Sequence, residues 1–161
     1  MVLLMPKIGL AEESSEDKRM EAQAYYAIGS RYYKQGGAQN YATALEWYEK
    51  AAILGHVKAQ FDIGYMFYKG QGVIPDNMKA VEWYRESAAN GYTAAQYRIG
   101  VMYKDGIGVP QDYVKAHMWF NVAAAAGSSS AARYRDSVAK RMTPSQIAVA
   151  QRMASECQSS E

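Results

Sequence analysis

Cysteine is almost missing from this chain. Of 161 residues only Cys157 carries a thiol, so no intramolecular disulfide can close and no cysteine cluster can hold a metal. Histidine is nearly as scarce. His56 and His117 occupy unrelated positions, neither in an H-E-x-x-H setting, and they read as a solvated turn residue and a helix-surface or partly packed residue. No apolar run approaches the roughly 18 residues that suggest a membrane span. Excess charge is lacking too: 18 Lys and Arg stand against 16 Asp and Glu, a net +2, which points to neither nucleic acid nor an anionic membrane. There is no G-x-G-x-x-G or G-K-[ST], and no nucleophile with a recognisable base or glycosidase-like carboxylate pair. The expectation is a protein without metal, cofactor or catalytic residues.

Residues 1–20 open on a short apolar run interrupted by Pro6 and Lys7, with no basic stretch ahead of it. They read as a flexible leader, which places the protein in the cytoplasm. The alternative, residues 1–11 as a truncated signal peptide, places it in the periplasm.

What is present is a period. Trp47, Trp83 and Trp119, the three tryptophans, stand 36 residues apart. Gly55, Gly91 and Gly127 keep the same spacing, as do Ala44, Ala80 and Ala116. Gly64 and Gly100 share it, while Gly29 precedes Gly64 by 35, so the first copy is one residue shorter, in its loop. Such self-similarity marks a solenoid, in which each repeat presents the same packing surface to the next.

One repeat shows the physics. Ile63, Met66 and Phe67 fall at helical spacing on a first helix. Gly64 sits inside it at a cost of about 1 kcal/mol relative to Ala, which argues that a neighbouring helix comes too close for a Cβ. Gly70 and Gly72 end that helix, and Asp76 is placed to cap the next. Ala80, Trp83, Tyr84, Ser87 and Ala88 form the stripe of the second helix, and Gly91 closes it. With the tryptophans as the packing knobs, Trp83→Ala should cost about 3–5 kcal/mol. After Ser130 the period stops. Arg133, Arg135, Lys140 and Arg141 read as a solvated face, and Thr143-Pro144-Ser145-Gln146 as a capped helix start. The reading is all-α: repeats at about 22–58, 59–94 and 95–130 within 21–130, a C-terminal capping helix pair over 131–157, and a tail from 158 to 161.

The string IGYMFYKGQGV…DNMKAVEWYRESAANGYTAAQ and its third copy, IGVMYKDGIGVPQDYVKAHMWFNVAAAAG, resemble the Sel-one-like repeat, a relative of the tetratricopeptide repeat. The first copy, IGSRYYKQGGAQNYATALEWYEKAAILG, departs in its loop, where Gly36-Gly37-Ala38-Gln39 replaces G-x-G-V. The resemblance implies a right-handed α/α superhelical solenoid of helix-turn-helix repeats whose first helices line a concave groove. It also implies a non-enzymatic, bacterial adaptor for a protein or peptide.

If Ile28, Ile63 and Ile99 face the core, other first-helix residues face the groove. These are Tyr26, Ser30, Tyr33 and Lys34 in the first copy, Phe61, Tyr65, Tyr68 and Lys69 in the second, and Tyr97, Val101, Lys104 and Asp105 in the third. Tyrosine suits a binding surface because it joins apolar area to a hydroxyl at low entropy cost. Lysines beside the rings favour an acidic or carboxylate-ended segment. The alternatives are a self-assembling module, in which chains pair as homo-oligomers, and, more remotely, a hydrolase acting on cell-wall material.

Overall fold

The computed structural model describes residues 14–158, which hold eight helices and no strand. They run α1 Ser15–Gln35, α2 Ala38–Ile53, α3 Val57–Lys69, α4 Asn77–Ala89, α5 Thr93–Asp105, α6 Tyr113–Ala125, α7 Ser129–Ala139 and α8 Pro144–Gln158. Helices α1 and α2, α3 and α4, and α5 and α6 form successive pairs, each stacked on the next, and α7 and α8 both pack on α6. The result is an all-α solenoid with a closing helix pair.

The recurring first-helix glycine is where each pair comes together. A Cβ on Gly29 would lie 2.7 Å from the Tyr48 ring, one on Gly64 2.9 Å from the Tyr84 ring, and one on Gly100 2.7 Å from the Phe120 ring. The ring facing the glycine is therefore the residue after each tryptophan. Tyr48, Tyr84 and Phe120 are 2%, 0% and 0% exposed, whereas Trp47 and Trp83 are half-buried and only Trp119 is buried. The tryptophans are not the central knobs. One residue is a 100° rotation on a helix, enough to move a side chain from the seam to its edge. Trp83→Ala should accordingly cost less than the figure for full burial. Ile63 and Ile99 are fully buried, while Ile28, on the helix that no earlier described pair covers, is half-buried.

A second glycine position ties one pair to the next. Gly72 has φ +74° and lies so close to α2 that a Cβ would come within 2.5 Å of the Ala42 amide nitrogen; Gly108, at φ +69°, takes the equivalent seat on Asn77 of α4. The first loop has no preceding pair in the described structure to sit on. Only Gly36 and Gly37 separate α1 from α2, against seven residues between α3 and α4, and that loop accounts for the shorter first spacing. Gly37 offers α2 no side-chain cap, whereas Asp76 caps α4 through the amides of Met78 and Lys79, both at 3.0 Å.

Two end readings change. Residues 15–20, assigned to a flexible leader, form the first turns of α1. Ser14 and Asp17 make a reciprocal capping box, the Asp17 amide donating to Ser14 Oγ at 3.1 Å. The leader or signal-peptide reading of 1–11 lies outside the described residues, as do 159–161 of the tail. At the other end the expected cap is present, with the Gln146 amide donating to Thr143 Oγ1 at 3.2 Å and the Thr143 amide to Gln146 Oε1 at 2.9 Å. No helix among the described residues is long and apolar enough to cross a membrane.

Candidate functional site

The first helices of the first two pairs, α1 and α3, enclose a cavity of about 330 Å³. Its walls are Tyr26, Tyr33, Phe61 and Tyr65, with Ser30 and Lys34 beside them. Six of the twelve sequence-assigned groove residues thus meet in one place. The other six do not. Tyr68 lies further along α3, where Lys69 Nζ stands 5.3 Å and Arg98 5.9 Å from its ring centre. Tyr97 is half-buried against Phe120 and Tyr134, at 5.9 and 5.6 Å, and Val101 packs on the core. Lys104 and Asp105, an ion pair, line a separate cleft with Tyr113, Tyr134 and Arg141.

Three residues of the cavity escaped the sequence reading: Tyr48, Lys58 and Asp62. Tyr48 comes from α2, and its hydroxyl reaches Ser30 Oγ at 3.3 Å. Asp62 lies among the rings and accepts a hydrogen bond from the Tyr26 hydroxyl at 2.9 Å. Burial pushes the Asp62 carboxyl above its ordinary range, while the Tyr26 hydroxyl and the positive charge of Lys58 oppose that push. Burial likewise raises the phenols of Tyr26, Tyr33 and Tyr48. Tyr33 donates to Gln71 Oε1 at 2.8 Å, which fixes that ring at the far end of the cavity. The signal for Asp62 was available, since Lys58, Asp62, Tyr65 and Lys69 follow at spacings of four, three and four, a single helical row.

His56 is not a solvated turn residue. It is half-buried at the N-cap of α3, where its Nδ1 accepts the Ala59 amide at 3.1 Å. That acceptor role leaves the proton on Nε2, 3.1 Å from Gln23 Oε1. The ring stacks on Tyr26 with centroids 4.3 Å apart and planes 16° from parallel. His56 thereby braces the Tyr26 wall from behind, and burial holds its pKa below the ordinary imidazole value. His117 is 3% exposed, deeper than its sequence reading, and burial lowers its pKa also. The two histidines sit in separate repeats, and the described residues contain no group of three or more His, Cys, Asp and Glu that could hold a metal ion.

Chemically, the cavity offers aromatic faces, phenol edges, one carboxylate and the ammonium groups of Lys34 and Lys58, with Arg31 in the adjoining cleft. It can grip a side chain or a short extended segment.

Comparison with known proteins agrees with the repeat geometry. The Sel1 repeat matches residues 22–56, 57–92 and 93–128, two residues short of the sequence-derived boundaries at each end point after the first. The chain is 33% identical to a protective antigen of uropathogenic Escherichia coli that displays an SLR fold, with a TM-score of 0.79 over 84% of this chain and 29% of that one. It is 33% identical to a Sel1 repeat protein from Oxalobacter formigenes, with a TM-score of 0.65 over 72% of this chain and 48% of that one. An uncharacterized protein of Neisseria meningitidis serogroup B is 38% identical over 65 residues, 40% of this chain and 14% of its own. The chain therefore spans less than half the length of each of these relatives. Proteins built from this repeat are generally protein-interaction scaffolds. With three matched repeats over more than half its length, the chain belongs to the Sel1 repeat family.

Proposed function

We propose that the chain is a non-enzymatic scaffold holding an extended protein or peptide segment along the face formed by its first helices. The observation that carries this reading is the cavity between α1 and α3, where rings from two successive repeats converge and leave room between them. Aromatic side chains with polar edges are the usual anchors of protein interfaces, because they bury large area with few rotors to immobilise. Since Cys157 is the single cysteine, the fold needs no disulfide and is compatible with a reducing or an oxidising compartment.

Affinity capture tests the proposal. Bait protein is compared with the Tyr33→Ala/Tyr65→Ala variant and with Ile53→Ser, a change at a residue 82% exposed on a second helix. Partner recovery should fall with the tyrosine pair and survive Ile53→Ser, with all three baits equally helical by circular dichroism. Equal recovery on the tyrosine variant would remove the concave face from consideration. Self-assembly is the second reading, favoured by Ile53, Ile74 and Met78, which are 82%, 87% and 66% exposed. Light scattering across a dilution series decides it, since a concentration-independent monomer mass rules it out.

A further inference from the structure

We infer that the cavity between α1 and α3 takes a basic side chain, lysine or arginine, from the held segment, with the Asp62 carboxylate as its counter-ion. The inference rests on the concave-face reading above and adds to it the chemistry of one anchor residue.

Repeat packing does not require the carboxylate. The positions equivalent to Asp62 in the other two copies are Ala27 and Arg98, so the same solenoid accepts a methyl group or a guanidinium there. What distinguishes Asp62 is the cavity around it.

Asp62 is also under-partnered for its setting. Oδ2 accepts the Tyr26 hydroxyl at 2.9 Å, and among the described residues no donor reaches Oδ1. Lys58, one turn earlier, makes no ion pair with it; the ion pairs of the described residues are Lys104–Asp105, Lys115–Asp112 and Arg135–Asp136. A half-buried carboxylate with one neutral donor, and with the Lys58 charge nearby but outside ion-pair distance, keeps an oxygen free for a direct cationic partner. Oδ1 is the atom that an arriving cation would contact directly, beside the Tyr26 hydroxyl already on Oδ2.

The walls suit the same guest. A cation is attracted to an aromatic face within about 6 Å of the ring centre, and five rings line the cavity that Asp62 shares. The protein's own cations already use such faces nearby: Lys58 stands 5.3 Å from the Tyr26 ring and Lys69 6.0 Å from that of Tyr65. The volume of about 330 Å³ is at the lower end of ligand clefts, which run from about 300 to 1,000 Å³, and so fits one anchor side chain rather than a bulky ligand. Lys34 and Lys58 in the lining, and Arg31 in the adjoining cleft, would repel further positive charge on either side. The matching segment is thus a single basic residue between neutral or acidic neighbours. Of the lysines that suggested an acidic segment, Lys34 lines the same cavity as Asp62, whose carboxylate is the one negative group in that lining.

Random heptapeptide display tests this without a known partner. Libraries are panned against wild type, Asp62→Asn and Tyr33→Ala/Tyr65→Ala. Wild type should enrich peptides with Lys or Arg at one fixed position. Asp62→Asn should lose that preference, and a synthetic copy of the leading peptide should bind it roughly 10- to 100-fold more weakly, the worth of one hydrogen bond to a charged group. Asp62→Glu should recover part of the affinity. The variant will be folded: removing a carboxylate whose pKa burial raises should leave the thermal midpoint at pH 7 equal to wild type or higher. Enrichment of neutral or acidic peptides, or an undiminished basic preference in Asp62→Asn, overturns the inference. If such peptides still lose binding in the tyrosine variant, the concave-face reading survives. No enrichment on wild type overturns both.

Discussion

Replacing Gly64 by alanine sets two effects against each other. In a helix interior alanine is favoured over glycine by about 1 kcal/mol. The added Cβ, however, would lie 2.9 Å from both Cδ1 and Cε1 of Tyr84 and 3.2 Å from the carbonyl oxygen of Ala80. Real Cβ atoms do not approach ring carbons so closely, so something must move. Tyr84 is fully buried, with Phe61 against it at a centroid distance of 5.3 Å, and the backbone of α4 moves only with the whole helix. Overpacking of this kind costs about 1–3 kcal/mol, and contact with two ring atoms and a backbone oxygen puts the cost at the top of that range. The net expectation is a loss of about 2 kcal/mol after the propensity gain, or a fall in Tm of about 4–8 °C for a chain of this size. Urea unfolding followed by circular dichroism measures it, with an unchanged slope showing that the native state alone is affected. Repeating the change on a Tyr84→Leu background should relieve the clash and give a coupling of at least about 0.5 kcal/mol. A Gly64→Ala midpoint equal to or above that of wild type would refute the close-approach account.

Two further outcomes follow from buried polar atoms. The Tyr84 hydroxyl is buried with no protein hydrogen-bond partner, and the third repeat carries Phe120 at the equivalent position. Tyr84→Phe should therefore stabilise the protein by up to about 1 kcal/mol, and a lowered urea midpoint would show that the hydroxyl has a native role. His56 caps α3 through a neutral ring whose folded pKa lies below the ordinary 6.5. A depressed histidine contributes stability that is fully present above the unfolded value and lost as pH falls through the folded one. Below pH 6.5 the thermal midpoint of wild type should thus drop more steeply than that of His56→Asn, which keeps a capping side chain without the titration. Parallel pH profiles would exclude the role.

The architecture was legible because a solenoid writes its packing into the chain at a fixed interval. Gly29, Gly64 and Gly100 announce a close approach, and the facing rings confirm it to within a few tenths of an ångström across three copies. The capping box at Thr143 was legible for a similar reason, since both partners lie within four residues. Readings failed where the outcome depends on helix rotation or on a neighbouring pair. Trp83 and Tyr84 are adjacent aromatics with the same period, and only the angle between α3 and α4 decides that the tyrosine takes the seam. His56 resembles a polar turn residue until α1 brings Tyr26 and Gln23 against it. The groove was half legible. Residues on one helix could be assigned to a face, but the convergence of α1 with α3 and the contribution of Tyr48 from α2 are tertiary. Asp62 precedes the core residue Ile63, and only its row on the helix, which runs through Tyr65, marks it as a residue of this face.

The conspicuous tryptophans belong to the scaffold, and function is assigned half a repeat away. Hydroxyl-radical footprinting of the protein with its captured partner, or with the leading displayed peptide, tests that assignment most directly. Oxidation of Tyr33 and Tyr65 should fall on binding while that of Trp47 and Trp83 stays unchanged. Protection of the tryptophans with Tyr33 and Tyr65 unprotected would contradict it.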